Sequence, residues 1–313
     1  MSGAASSARA GGRGFVREDA RFREWVTADG GSGYAAEPGR YHLYVSLACP
    51  WAHRTLIVRA LKGLEAAIDV SVVDPIRDER GWAFRDVPGA TGDRVHDWSY
   101  LSEAYDATAP GYEGRISVPV LWDTRTERIV NNESADIIVM LNEALNAFAA
   151  HPEVDLYPAE LRGEIDDLNR VVYETVNNGV YRAGFAPTQE DYDEAVHPLF
   201  ATLGRLDERL ASRRYLVGEV PTLADWRLFT TLVRFDAVYA CHFKCNLRRI
   251  VDYAHLPAYL RDLYQTPGVA ETVDMDHIKR HYYETHRGIN PTGIVPAGPI
   301  LDFDAPHGRE ALG

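Results

Sequence analysis

The sequence predicts an α/β domain followed by an all-helical domain. Two observations lead to this prediction. Between residues 41 and 73, an apolar strand, an amphipathic helix and a second strand follow one another, which is the order of a βαβ unit with parallel strands. From about residue 160, apolar residues recur at helical spacing in four successive segments.

The elements of the first domain follow in chain order. Residues 1–40 are rich in Gly, Ala and Ser, and we expect them to form an arm that packs loosely on the body. Residues 41–47 form the first strand. The helix over residues 50–64 carries apolar residues at helical spacing and has Gly63 near its end. The run DVSVV, residues 69–73, forms the second strand.

A long polar and aromatic insertion, residues 74–115, follows this unit. A loop of this length inside a compact domain is usually functional or partly ordered by a partner. Residues 115–123 then predict a strand that contains a proline, and a helix begins near Ser134. Further on, Thr222 and Asp225 have the spacing of a capping box, so we interpret both as structural.

The chain is therefore divided into four parts. Residues 1–40 are the arm, and residues 41–150 are a thioredoxin-like, thiol-binding domain. Residues 151–288 are a helical substrate domain. Residues 289–313 are a tail too rich in Pro and Gly to form a regular element.

Composition excludes several classes of function. The 313 residues contain no run of about 18 apolar residues, so no transmembrane helix is predicted, and the N-terminus lacks the apolar region of a secretory signal. The net charge of −13 argues against nucleic acids and anionic membranes as partners. Three cysteines are too few for a disulfide framework, which favours a reducing, cytoplasmic setting.

Cys49 stands between the first strand and the first helix, with Pro50 at the first helical position. Backbone N–H groups and the helix dipole at such a position stabilise a thiolate, which predicts a nucleophile. The alternative is a small buried hydrophobe, a common fate of cysteine. A dithiol oxidoreductase would carry a second cysteine where this chain has Ala52. A mixed disulfide at Cys49 would therefore need an external thiol to resolve it.

Two later patterns support a thiol site. Val118-Pro119 precedes a strand, and in thioredoxin-like folds a cis-proline loop faces the catalytic cysteine and pairs with the backbone of a bound thiol peptide. Its alternative is a proline on an edge strand. Glu133-Ser134 opens a helix, where a hydroxyl and N–H groups can hold the carboxylate of a γ-glutamyl group while Glu133 takes its ammonium. The alternative is a plain N-cap. Beside Cys49, these patterns indicate a site for a glutathione-like ligand.

The chain resembles the glutathionyl-hydroquinone reductases, the Xi class of glutathione transferases, over nearly its full length. The resemblance rests on YHLYVSLACPWAHRTLIVRALKGLE, VPVLWD, NNESADIIVM, ETVNNGVYRAGFA, TTLVRFDAVYACHFKCN, INPTGI and, more loosely, DWSYLSEAY. It implies a thioredoxin-like domain plus a helical domain, and a class-specific homodimer. It also implies the conversion of a glutathionyl-hydroquinone and glutathione to the hydroquinone and oxidised glutathione.

By position, the resemblance also assigns roles to residues. Cys49 would be the nucleophile, and Tyr181 would handle the proton on the aromatic oxygen. Tyr239 and Tyr282 would help to keep Cys49 as a thiolate. All three tyrosines would line the hydroquinone pocket from the helical domain. The residues that the resemblance assigns to glutathione binding are Trp82, Arg115, Val118, Glu133 and Ser134.

Each tyrosine has an alternative interpretation, as a packing residue with its hydroxyl at the surface. Tyr181 differs because Asn177-Asn178-Gly179 interrupts a helical pattern just before it, which suggests the wall of a pocket.

Two clusters resemble metal sites but are interpreted otherwise. Cys241, His242 and Cys245 offer at most three ligands with no second pair nearby, so we expect no metal. The histidine-rich stretch from residue 276 to residue 286 is interpreted as a polar helix face.

Three functions compete at this point. The first is the thiol-transfer reductase acting on glutathionyl-hydroquinones, with glutathione or another γ-glutamyl thiol as co-substrate. The second is a general glutathione transferase or thioltransferase; conjugation needs the thiolate on glutathione itself, whereas a cysteine such as Cys49 favours mixed disulfides. The third is a non-catalytic scaffold with the transferase fold, for which an unreactive Cys49 would argue.

Overall fold

A computed structural model describes Phe15 and residues 17–312 of the chain, and it divides into two compact units. We call them the sheet unit and the helical unit. The sheet unit comprises Glu18–Asp155 and Glu271–Thr285, and the helical unit comprises Leu156–Ala270, the described residues up to Arg17 and those from His286 onward. Within this described part, no helix is both long enough and apolar enough to cross a membrane.

The described residues form short strands and helices of up to 21 residues. The strands are Val26–Thr27 (β1), Tyr34–Ala35 (β2), Tyr41–Val45 (β3), Asp69–Val72 (β4), Val120–Asp123 (β5) and Arg128–Asn131 (β6). The α-helices are Pro50–Lys62 (α1), Ser102–Thr108 (α2), Ser134–Glu143 (α3), Arg162–Val172 (α4), Gly179–Gly184 (α5), Gln189–Arg209 (α6), Leu223–Arg234 (α7), Leu256–Tyr264 (α8) and Met275–Thr285 (α9). Two π-helical turns span Tyr173–Asn177 and Phe235–Tyr239, and 3-10 turns span Asn146–Phe148, Ile250–Asp252, Ala270–Thr272 and Glu310–Leu312.

A four-stranded mixed sheet in the order β4-β3-β5-β6 forms the centre of the sheet unit. Strands β3 and β4 are parallel and are connected through α1, so the predicted βαβ unit is confirmed. Strand β5 pairs antiparallel with both β3 and β6. Strand β3 is buried over its whole length, as expected for a central strand covered on both faces. The parallel edge places the start of α1 directly after a central strand.

Strand β5 is shorter than the predicted strand over residues 115–123. It begins only at Val120 because the Val118-Pro119 peptide bond is cis and the backbone before it forms a loop. The prediction of a cis-proline loop is therefore confirmed. The predicted end of α1 is close to the observed one, since Gly63 closes the helix in the left-handed conformation with φ 61°.

Helix α9 belongs to the sheet unit, although the sequence placed it in the helical domain. Its two buried histidines bond to carbonyls of the 74–115 insertion. His277 donates from Nε2 to the Pro88 oxygen at 2.6 Å, and His281 donates from Nδ1 to the Pro75 oxygen at 2.7 Å. The interpretation as a polar helix face does not hold at these two histidines, which are buried; spacing does not reveal carbonyl partners about 200 residues away in the sequence.

The insertion is ordered by the chain itself. Besides the α9 bonds, the Asp93 carboxylate accepts hydrogen bonds from the backbone N–H groups of Val95, His96 and Trp98. Gly89 lies so close to α9 that a Cβ atom there would be 2.4 Å from Nε2 of His277. No larger residue fits at this approach, so the insertion and α9 are packed tightly against each other.

The predicted capping box at the start of α7 is confirmed and is more extensive than a simple cap. Asp225 is fully buried and accepts four hydrogen bonds: two from the N–H and hydroxyl of Thr222, one from the Leu216 N–H and one from the Tyr259 hydroxyl. One carboxylate therefore joins the start of α7 to the preceding loop and to α8.

We expect Asp225→Asn to lower the free energy of unfolding by about 2–4 kcal/mol, because an amide presents one acceptor oxygen and two donors to four buried donors. Chemical denaturation monitored by circular dichroism measures the change. Asp191→Asn is the matched control, since Asp191 occupies the same place at the exposed start of α6. A control loss as large as that of Asp225→Asn would contradict the assignment.

Candidate active site

Cys49 caps the start of α1, immediately after the turn that leaves strand β3. Its backbone is extended, with φ −78° and ψ 120°, and Pro50 occupies the first helical position as predicted. The residue is only 8% exposed. Its Sγ lies 3.6 Å from the backbone oxygen of Val118. The sulfur thus sits between the start of a helix and the cis-proline loop.

The cis-proline loop is held in place by a phenol. The Tyr105 hydroxyl donates to the Ser117 carbonyl at 2.8 Å and accepts from the Ser117 N–H at 3.1 Å. The Asn132 side-chain amide also donates to this hydroxyl, at 3.1 Å. Because burial raises the pKa of Tyr105, the phenol stays neutral and can act as both donor and acceptor. This network fixes the Val118 carbonyl beside Cys49.

Glu133 and Ser134 lie at the start of helix α3, but the N-cap is Glu133 and not the serine. Glu133 is the N-cap, and its carboxylate accepts from the Ala135 N–H at 3.0 Å. Ser134 is the first helical residue and is buried, and its hydroxyl lies 3.4 Å from Nη1 of Arg54, which is fully buried on α1. The plain capping role is thus filled by Glu133, whose carboxylate retains acceptor capacity for a ligand.

Trp82 lies in the insertion as a buried platform for two side chains. Its indole stacks on the His281 ring at 5.1 Å and 21°, and the Arg77 guanidinium lies 5.1 Å from its centroid. Since His281 is fixed by the Pro75 carbonyl, α9 determines the orientation of the indole. The predicted glutathione residue Trp82 is therefore positioned by a helix far along the chain.

Sequence reasoning missed Arg77. Burial lowers the pKa of Arg77, the positive charge of Arg115 lowers it further, and the negative charge available to Cys49 acts in the opposite direction. Arg77 therefore interacts electrostatically with Cys49 and with Arg115, although Arg115 itself is exposed. The available signal was its position just after the end of strand β4, in the same unit as the Cys49 turn.

Tyr282 is 1% exposed and lies on α9, so it belongs to the sheet unit together with Cys49. The sequence had placed it in the helical domain with the other two tyrosines. Its ring meets His281 edge to face, with 5.2 Å between the centroids. Tyr282 is thus connected through His281 to the Trp82 platform.

Tyr181 and Tyr239 come together in the helical unit, with their ring centroids 6.0 Å apart. Tyr239 ends the second π-helical turn, and Tyr181 lies on α5 just after the first. Both rings also pack on Phe243, at 5.4 and 5.6 Å. We call Tyr181, Phe185, Tyr239 and Phe243 the aromatic cluster.

The interruption predicted at residues 177–179 takes the form of the first π-helical turn. The Asn177 side-chain amide anchors it to α7, donating to the Thr231 hydroxyl at 2.8 Å and to the Arg227 carbonyl at 3.2 Å. Such turns often occur at functional sites, because the extra residue re-aims the side chains that follow.

The cysteine and histidine residues after Tyr239 form no metal centre in the described part of the chain, where no three potential ligands cluster. Cys241 is exposed, and burial raises the pKa of Cys245 to about 12. Nε2 of His242 lies 3.3 Å from Nδ1 of His286, and burial lowers the pKa of His242 to about 4. His242 is thus held neutral beside the aromatic cluster.

Comparison with known proteins places this geometry in a family. The family model described as glutathione S-transferase, N-terminal domain, matches residues 48–144, and the one described as glutathione S-transferase, C-terminal domain, matches residues 189–262. Glutathionyl-hydroquinone reductase YqjG of Escherichia coli (strain K12) is 55% identical over 303 residues, which cover 95% of this chain and 92% of YqjG. The chain belongs to the glutathionyl-hydroquinone reductases, the Xi class of the glutathione transferases.

Further relatives agree with this family. Glutathionyl-hydroquinone reductase PcpF of Sphingobium chlorophenolicum is 53% identical over 289 residues, covering 92% of this chain and 90% of PcpF. The glutathione-bound structure of YqjG matches with a TM-score of 0.90 and 56% identity, covering 92% of this chain and 96% of that one. The Xi-class structure from Natrialba magadii matches with a TM-score of 0.91 and 56% identity, covering 93% and 91%. The predicted fold class, a thioredoxin-like domain followed by a helical transferase domain, is confirmed.

We expect Arg77→Met to lower the rate at which Cys49 reacts with iodoacetamide at neutral pH by roughly tenfold, because the positive charge of Arg77 interacts with the sulfur of Cys49. The rate is measured by mass spectrometry of the alkylated Cys49 peptide. Arg80→Met is the control, since Arg80 is an exposed neighbour that lies over the Tyr100 ring. Equal rates in the two variants would exclude this role of Arg77.

Proposed function

We propose that this protein reduces glutathionyl-hydroquinones to hydroquinones, with glutathione as reductant and Cys49 as nucleophile. One observation carries the proposal: a single buried thiol at the start of α1 lies 3.6 Å from the carbonyl of a cis-proline loop, with Ala52 in place of a second cysteine. The names of the reductases YqjG and PcpF agree with it.

The first step is attack of the Cys49 thiolate on the glutathione sulfur of the conjugate. A disulfide bond forms between Cys49 and glutathione, the bond between sulfur and ring carbon breaks, and its electron pair goes to the ring. A ring carbanion is a poor leaving group. In the keto tautomer that carbon already carries a hydrogen, so the group that leaves is an enolate. Tyr181 would then supply the proton that turns the ring oxygen into a hydroxyl.

The second step regenerates the enzyme. The thiolate of a second glutathione attacks the glutathione sulfur of the mixed disulfide, which releases oxidised glutathione and the Cys49 thiolate. The two electrons that reduce the ring carbon thus come from two glutathione sulfurs. An external thiol is required because no cysteine follows Cys49 at the position of Ala52.

We assign glutathione to the groups around Cys49. The backbone of Val118 would pair with the cysteinyl part, and the start of α3 at Ser134 would receive the γ-glutamyl carboxylate while Glu133 takes the ammonium. Trp82 would supply an apolar wall and Arg115 a positive charge. Glu133 and Ser134 would recognise the γ-glutamyl group, so another γ-glutamyl thiol could also serve as co-substrate.

We assign the hydroquinone ring to the aromatic cluster, with the helical unit as substrate domain. Tyr181 is the proton donor, and Tyr239 supports the Cys49 thiolate, as does Tyr282 from the sheet unit. The cluster suits an aromatic substrate because stacked and edge-on rings bind one another favourably. No metal takes part in the proposed steps.

We further propose a cytoplasmic homodimer. The cytoplasm fits the three free cysteines, one of them exposed, because thiols stay reduced there. The homodimer follows from the family resemblance.

Replacing Cys49 with serine tests the reaction. We expect Cys49→Ser to reduce hydroquinone release from a glutathionyl-benzohydroquinone by about a thousandfold or more, because a hydroxyl is a far weaker nucleophile. Liquid chromatography measures the hydroquinone with glutathione, γ-glutamylcysteine or a thiol without a γ-glutamyl group as reductant. Cys245→Ser is the control, since the Cys245 thiol is buried and held protonated.

The outcomes separate the competing functions. Release by Cys49→Ser at the wild-type rate would rule out Cys49 as nucleophile, and release by neither protein with any thiol would rule out the reductase. If Cys49→Ser instead conjugates glutathione to an electrophile, the fold can act as a general glutathione transferase once the cysteine is removed.

Tyr181→Phe tests the proton donor. We expect it to lower kcat for conjugate reduction by roughly a hundredfold, the usual range for loss of a general acid. Reduction of a small aliphatic mixed disulfide of glutathione should be unchanged, because a thiolate leaving group needs no such donor. Tyr157→Phe is the control, since the Tyr157 hydroxyl bonds to Asp166 outside the aromatic cluster. An equal loss with both substrates would assign Tyr181 a structural role instead.

A further inference from the structure

The N-terminal segment reaches the aromatic cluster. The Phe15 ring stacks on Tyr181 at 5.9 Å and 24°, and on Phe185 at 5.7 Å and 23°. The Arg17 guanidinium lies 5.4 Å from the Phe15 centroid and 5.1 Å from the Tyr181 centroid. The sequence predicted an arm that packs loosely, but these two residues make specific contacts with the tyrosine assigned to proton donation.

A directed hydrogen bond fixes the position of Arg17. Its Nε donates to the side-chain oxygen of Asn178 at 2.9 Å. Asn178 follows the first π-helical turn, three residues before Tyr181, and the neighbouring Asn177 anchors the same turn to α7. Asn177 therefore anchors the turn to α7, and Asn178 holds Arg17 in place.

We propose that Arg17 is a positioning residue that promotes proton donation by Tyr181, and that Phe15 completes the wall of the aromatic cluster around it. The proposal rests on the proposed function. A guanidinium stays charged at every accessible pH and interacts favourably with the face of an aromatic ring. When the phenol gives up its proton, the ring becomes negatively charged, and the fixed cation stabilises that charge more than it stabilises the neutral phenol.

Arg17 is a cation that lies directly on the Tyr181 ring, whereas other charges of this region are engaged or exposed to solvent. The Asp236 carboxylate, on the second π-helical turn, accepts hydrogen bonds from the N–H groups of Ile250 and Val251. Arg182 follows Tyr181 on α5 and is exposed to solvent, where its charge is screened. Other titratable groups on elements packed around the cluster include Tyr239, His242 and His286. The Cys245 thiol lies 3.9 Å from the Val180 carbonyl of α5, and α6, which packs against α5, carries acidic and basic residues along its length.

Three variants test the proposal with two substrates. Arg17→Gln removes the charge, Arg17→Lys keeps it, and Arg21→Gln removes a charge of the same segment that lies 5.6 Å over Tyr112, outside the cluster. Each is assayed with a glutathionyl-benzohydroquinone and with a small aliphatic mixed disulfide of glutathione. The disulfide needs Cys49 but has no ring oxygen to protonate.

For Arg17→Gln we expect kcat with the conjugate to fall about tenfold, with a smaller change in KM and no change with the aliphatic disulfide. Its activity should also persist to higher pH, because without the cation the phenol keeps its proton longer. Arg17→Lys should recover most of the rate, and Arg21→Gln should match the wild type. Equal behaviour of Arg17→Gln and Arg21→Gln, or an equal loss with both substrates, would overturn the proposal.

A direct titration keeps the test independent of the reductase activity. The absorbance of phenolate is followed against pH, and subtracting the curve of Tyr181→Phe isolates Tyr181. Arg17→Gln should move the ionisation of Tyr181 to higher pH by about half a unit or more. If the wild type releases no hydroquinone while this shift is seen, the proposed function fails and the effect of Arg17 stands. An unmoved curve overturns the effect of Arg17 whatever the activity.

Discussion

The structure depends on one placement: a nearly buried sulfur at the point where a central strand turns into a helix. Cys49 is reached from one side by the start of α1 and from the other by the Val118 carbonyl. Neither could shift alone, because α1 follows directly from β3 and the carbonyl precedes β5, which pairs with β3. The register of β3 and β5 thus fixes the start of α1 relative to the Val118 carbonyl. The other groups of the site are arranged around these two.

The helical unit contains two π-helical turns that position its tyrosines. Both tyrosines of the aromatic cluster are placed by π-helical turns, Tyr239 within one and Tyr181 just after the other. One extra residue per turn rotates the following side chains by roughly 100° relative to a regular α-helix. Close packing completes the arrangement at Gly184, where a Cβ atom would be 2.2 Å from the Phe243 ring.

Sequence patterns predicted the elements whose stabilising contacts lie close together in the chain. The βαβ unit, the start of α1 at Cys49, the cis-proline loop and the capping box at Asp225 all rest on contacts among residues close in sequence or on strand patterning. The sequence failed where partners are remote. The histidines of α9 were interpreted as a polar helix face, because their spacing does not show the carbonyls of Pro75 and Pro88 that lie beside them. Arg17 carries no local signal, since its partner ring, Tyr181, lies far along the chain. The signal for Arg77 is only its position after strand β4.

The insertion that carries Trp82 and Arg77 has a consequence for synthesis on the ribosome. The insertion emerges early, but α9, which holds it through His277 and His281, is made almost 200 residues later. A nascent chain that already contains the sheet, Cys49 and the cis-proline loop therefore still lacks α9, the helix that positions the Trp82 indole. The part of the site that α9 holds in place is therefore complete only when nearly the whole polypeptide has been translated.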